Sequence, residues 1–134
     1  MRTVTEIVLH SSLTKPNEDI GLKELSKKDP YRKNTRYHYI IRRDGTLEYG
    51  IPSDIPARHM IKHNKYSLSI CLVGGKSEDG KVVDNFELIQ RDTLVTTVKA
   101  ILVDYPKAKL INHGTHCIVF DIDKCLKEYE IDRG

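Results

Sequence analysis

Ser67 to Val73, reading Ser-Leu-Ser-Ile-Cys-Leu-Val, carries apolar residues on both alternating faces and is broken by Gly74-Gly75. Strands expose alternate residues to opposite faces, so this pattern requires cover on both sides and predicts a central strand. The rest of the chain supplies the neighbours and the cover. Glu6 to His10 is a short apolar run that reads as a buried strand. Asp19 to Lys28 reads as a modest helix with Leu22 and Leu25 inward, ended by Asp29-Pro30, and Tyr31 to Arg36 as a polar loop. Tyr37 to Arg42 is β-like, and Asp44-Gly45 separates it from Thr46 to Tyr49. Asp-Gly in that place predicts a hairpin with a type I′ turn. Ile51 to Lys65, with Pro52 and Pro56 and no period, reads as a loop, and Lys76 to Lys81 as a solvated turn.

From Asp84 to Tyr105, Leu94, Val95, Val98, Ile101, Leu102 and Tyr105 recur at three- and four-residue steps. That stripe predicts a helix with one apolar face. Asp84 and Glu87 have capping-box spacing, and Pro106 follows the end. Lys109 to Asn112 reads as a short strand, and Asp123 to Tyr129 as a last helix. Strands mixed with helices and one hairpin predict an α/β (α+β mixed) fold, a central mixed sheet flanked by helices. No repeat or linker divides the chain, so residues 1–134 are expected to form a single domain.

Composition narrows the function. The 134 residues include 22 Lys and Arg against 19 Asp and Glu, dispersed along the chain, which does not resemble the basic stripe of a nucleic-acid binder. No apolar run approaches the ~18 residues needed to span a membrane. The first residues lack a signal-peptide core, so a cytoplasmic starting location is expected. Three cysteines do not suggest a disulfide framework.

Imidazole and thiolate are zinc's preferred donors. His10 closes an apolar strand, a rigid mount for a ligand, although a hydrogen-bonded histidine at a sheet edge fits as well. His113 and Cys117 stand four residues apart in a short loop and can share one metal; His116 is an alternative to His113. Three protein ligands would leave a position for water, the mark of a catalytic zinc. Tyr37 and His38 are expected to point to opposite faces of a strand, leaving one for a cleft. A tyrosine hydroxyl there can donate to a developing oxyanion, or the ring can simply pack. Cys71 reads as core.

Taken in order, these segments resemble the zinc N-acetylmuramoyl-L-alanine amidases, which include amidase-type phage lysozymes and peptidoglycan recognition proteins. Ile7-Val-Leu-His10-Ser-Ser-Leu-Thr-Lys-Pro resembles the family's first metal-ligand strand, and Tyr37-His-Tyr-Ile-Ile-Arg-Arg-Asp-Gly-Thr-Leu-Glu its tyrosine strand and hairpin. His59, Asn64, Ser67 and Cys71-Leu-Val-Gly-Gly resemble the substrate loop and central strand of the phage enzymes. Asn85-Phe86 with Gln90 resembles the start of their long helix, and Cys117 with Phe120-Asp121 the ligand cysteine and its tail.

The resemblance implies that His10, His113 and Cys117 bind zinc (Zn2+), that Tyr37 and Thr115 assist catalysis, and that His59 and Asn64 contact a muramyl-peptide. It implies an endolysin that cuts the amide between N-acetylmuramic acid and L-alanine in peptidoglycan, acting as a monomer on the cell wall after release. The sequence departs from the family's pattern in several places. The interval from His113 to Cys117 is shorter than usual, Gly114 occupies an acidic position, Ile118 replaces a proline, Ile51 an arginine and Lys62 a glycine, and Thr115 falls where the phage lysozymes carry a lysine. The alternative is a relative that binds peptidoglycan without cutting it, or one that regulates a phage RNA polymerase.

Overall fold

The computed structural model describes residues 2–18, 20–28, 36–58 and 64–112. In chain order the elements are strand β1 (Glu6–Ser11), helix α1 (Leu22–Lys28), strands β2 (Tyr39–Ile41) and β3 (Leu47–Tyr49), a 3₁₀ turn (Asn64–Tyr66), strand β4 (Ser67–Leu72), helix α2 (Leu88–Asp104) and strand β5 (Lys109–Asn112). The expected last helix, Asp123 to Tyr129, lies outside the described residues.

The five strands form one sheet in the order β3-β2-β4-β1-β5. β4 takes the middle place that its two apolar faces require, and all six of its residues are buried. β1 and β2 run parallel to β4, β5 runs parallel to β1, and β3 is antiparallel to β2. The expected mixed sheet flanked by helices is the fold observed. Because β1, β2, β4 and β5 share a direction, their carboxyl ends meet along one edge of the sheet, where open α/β sheets place their ligands.

One face of the sheet carries Ile7, Leu9, Ile41, Leu68, Ile70 and Leu72, packed with Leu94, Val95, Val98 and Ile101 of α2. The other face carries Ile40, Cys71 and Val73, with Ile20, Leu22, Leu25 and Tyr37 against them. This matches the inward assignment of Leu22 and Leu25.

Helix α2 begins at Leu88, four residues later than the expected start at Asp84. Its cap is Glu87, whose N–H donates to Gln90 Oε1 at 2.8 Å, so the capping box is one step on from Asp84 and Glu87. Asp84 instead accepts from Arg91 at 2.6 Å. Gln90 is wholly buried, and its amide donates to Val73 O at 2.8 Å and Ile41 O at 3.3 Å. The helix start is thereby tied to the carboxyl ends of β2 and β4.

The β2–β3 hairpin also differs from expectation. Arg42 N–H donates to Thr46 O at 2.9 Å and Gly45 N–H to Arg42 O at 2.9 Å, with Gly45 at φ +85°. Asp44 keeps a negative φ, so the connection is a three-residue loop with a glycine bulge and not a type I′ turn. Only glycine takes the left-handed conformation without steric cost, and Asp44 contributes its carboxylate, which accepts from Thr46 N–H at 2.9 Å.

Candidate active site

His10 lies one residue from the carboxyl end of β1, in register with Cys71 of β4. Partners in register on parallel strands share a face, so His10 and Cys71 sit side by side on the α1 side of the sheet. His10 is 5% exposed, and its ring lies 5.6 Å from that of Tyr37 at 59°. Tyr37 precedes the first residue of β2, so strand alternation does not set its direction. It packs against the cluster of Ile20, Ile40, Cys71 and Val73. Burial, and then the neighbouring Cys71 thiol, which also hydrogen-bonds the hydroxyl, raise the Tyr37 pKa well above its ordinary value. The hydroxyl therefore stays protonated at any physiological pH and serves as a donor, not a base.

His38 has a different role. It is 1% exposed; its Nδ1 accepts from Ser69 N–H at 3.0 Å, which leaves Nε2–H to donate to Ile55 O at 2.7 Å. Burial lowers its pKa to about 4, so the ring is neutral at pH 7 and holds structure together.

Asn64 opens the 3₁₀ turn that leads into β4, near the strand's amino end. His10 pairs with Cys71 near the other end, so the length of β4 separates the two candidates. His59, His113, Thr115, His116 and Cys117 lie outside the described residues. Among the described residues no group of three His, Cys, Asp or Glu could hold a metal, and the expected set draws two of its three ligands from outside them. Of the set only His10 is described, an imidazole of the kind that zinc takes. β5 runs parallel to β1 with Asn112 in register with Leu9, the neighbour of His10, and His113 is the next residue in sequence.

A sequence model of the family described as N-acetylmuramoyl-L-alanine amidase matches residues 1–125. The chain belongs to this family. Its relatives include the endolysin of Enterobacteria phage K11, 34% identical over 97% of this chain and 92% of that protein. The endolysin of Escherichia phage T7 is 33% identical over 96% and 91%. Among solved structures, the amidase LysC from Clostridium intestinale URNW matches 98% of this chain and 88% of its own, with a TM-score of 0.79 at 18% identity. The Ph2119 endolysin, from a Thermus scotoductus MAT2119 bacteriophage, covers 96% and 86%, with a TM-score of 0.73 at 22% identity. At those identities the likeness bears on the fold, which is that of amidase-type lysozymes.

Within the amidase family frame, three residues stand out that the linear pattern did not single out for these roles. Cys71, read as core, is indeed buried, but its thiol also meets the Tyr37 hydroxyl. Gln90 continues the stripe of Leu94 and Ile101 toward the amino end of α2, a spacing that signals burial. Arg2 had no signal at all, because its partners are backbone carbonyls far along the chain.

Proposed function

We propose that this protein is a zinc-dependent N-acetylmuramoyl-L-alanine amidase of the phage endolysin type, hydrolysing the amide between the muramyl lactyl group and L-alanine. The observation that carries the reading is the buried pair His10 and Tyr37 beside the exit of β5, in a chain of the amidase family whose full-length relatives are endolysins. His10, His113 and Cys117 would hold the metal. Bound by these residues, zinc would supply Lewis acidity at neutral pH, for a water nucleophile and for the scissile carbonyl.

The chain's own groups do the rest. His10, fixed by its place in a buried strand, needs no reordering on binding a ligand. Tyr37, held protonated against an apolar cluster, would donate to the oxygen on which negative charge develops. Thr115 would add a second, uncharged donor. His59 and Asn64 would contact the muramyl-peptide away from the scissile bond. The buried apolar surroundings strengthen each of these hydrogen bonds relative to water.

The test is mass spectrometry of purified peptidoglycan after digestion, with and without a zinc chelator. New L-alanine amino termini that disappear on chelation are expected. Binding without cleavage at saturating zinc would replace the enzyme with a wall-binding relative.

A further inference from the structure

Arg2 stands ahead of β1 and donates hydrogen bonds to three backbone carbonyls. Its Nε reaches Ser53 O at 2.8 Å, Nη1 reaches Lys65 O at 3.1 Å, and Nη2 reaches Ser67 O at 2.7 Å. These acceptors belong to two stretches far apart in sequence: the turn after β3, and the 3₁₀ turn with the first residue of β4. A planar guanidinium can serve several fixed acceptors at once, which a single ammonium cannot. His38 reinforces the same junction. Its Nε2–H holds Ile55 O, two residues on from Ser53, at 2.7 Å. Thr5 N–H adds a bond to Tyr66 O at 2.8 Å. The three residues of the 3₁₀ turn are thus held through the carbonyls of Lys65 and Tyr66, and Asn64 is the first of the three.

We propose that Arg2 is a positioning residue for Asn64. By joining the Ser53 carbonyl to those of Lys65 and Ser67, it fixes the turn that presents Asn64 to the muramyl-peptide, and so sets substrate affinity. The proposal rests on the amidase reading and on Asn64 as a substrate contact. Arg2 acts through backbone and takes no part in bond cleavage. Substrate affinity should therefore depend on Arg2 only while Asn64 is present.

A double-mutant cycle decides it. Arg2→Ala, Asn64→Ala and the double variant are assayed for KM and kcat on a soluble N-acetylmuramoyl peptide beginning with L-alanine. In parallel, sedimentation with purified peptidoglycan under chelation reads Kd without turnover. Each single change is expected to raise KM and Kd about tenfold with kcat within about twofold, and the double change to be no worse than the worse single one. Guanidinium at a sub-denaturing concentration should restore part of the affinity of Arg2→Ala but not of Asn64→Ala, and sodium chloride of equal ionic strength should restore neither. Arg2→Lys should behave like Arg2→Ala, because charge without the planar fork cannot bridge the carbonyls. Additive effects, unchanged KM and Kd, full rescue by lysine, or a loss confined to kcat would each overturn the proposal. An inactive wild-type protein would refute the amidase reading alone, and the Kd cycle would still decide the role of Arg2.

Discussion

Tyr37 owes its orientation to a chain that has not yet entered β2. A strand pattern drawn from Tyr37 onward sends Tyr37 and His38 to opposite faces, but pairing as β2 begins only at Tyr39. Tyr37 therefore reaches the Cys71 side beside His10, and His38 is enclosed by Ser69 and Ile55. Tyr37→Phe should lower kcat by ~10²–10³ with bound zinc unchanged, the usual cost of one lost oxyanion donor; metal analysis and steady-state kinetics check it. Cys71→Ala removes the hydroxyl's partner without adding bulk to the buried site, so a fall in kcat of about tenfold is expected, with recovery in Cys71→Ser. His38 carries a pH dependence of stability. Its folded pKa of about 4 lies below the ordinary 6.5. Above pH 6.5 both states are neutral and the fold keeps its full stability. As pH falls from there toward about 4, the unfolded chain binds a proton that the folded chain excludes, and stability drops by up to about 3 kcal/mol before levelling. Urea unfolding across this range reads the loss, and an NMR titration of the His38 ring near its ordinary value would contradict it.

Among the elements, the central strand and the long helix were the most legible in sequence, because their periods are local and repeated. β4 ends one residue short of the expected Val73, and Leu94, Val95, Val98 and Ile101 are buried as the stripe requires. The helix start was harder. Asp84 and Glu87 mimic a capping box, and so do Glu87 and Gln90 one step on; Arg91 claims Asp84, and Gln90 is drawn inward by two strand-end carbonyls. Gln90→Ala would take its partner from Val73 O and from the Glu87 N–H, while Ile41 O keeps the Val73 N–H at 3.0 Å, and would open a void, costing roughly 1–3 kcal/mol. Chemical denaturation should show the drop in midpoint. The hairpin depends on one glycine. A Cβ at Gly45 would meet Ile89 Cγ1 at 2.5 Å, on a backbone with φ +85°. Gly45→Ala is thus expected to cost about 1–2 kcal/mol for the left-handed backbone, with the helix contact adding to it; its thermal midpoint checks this.

For the molecule as a whole, the shared direction of β1, β2, β4 and β5 gathers their carboxyl ends along one edge, and His10 lies at that edge. If zinc is held there, it binds the folded state and stabilises it by mass action, about 4 kcal/mol at a thousand times Kd. A chelator should therefore lower the melting temperature of the wild type and leave His10→Ala unchanged; equal shifts in both would contradict the ligand assignment. Sequence alone determined the kinds of element, their order and the sheet's centre, because alternation, helical period and glycine breaks are properties of neighbouring residues. It also carried the family likeness, which runs along the chain in order. Only the tertiary structure decided that His10, Tyr37 and Cys71 share one face, that Gln90 clamps two strand ends, and that Arg2 joins the turn after β3 to the start of β4. Those meetings depend on strand register and on backbone carbonyls distant in sequence. Register is chosen by burying both faces of the sheet at once, a condition that no local stretch of sequence expresses.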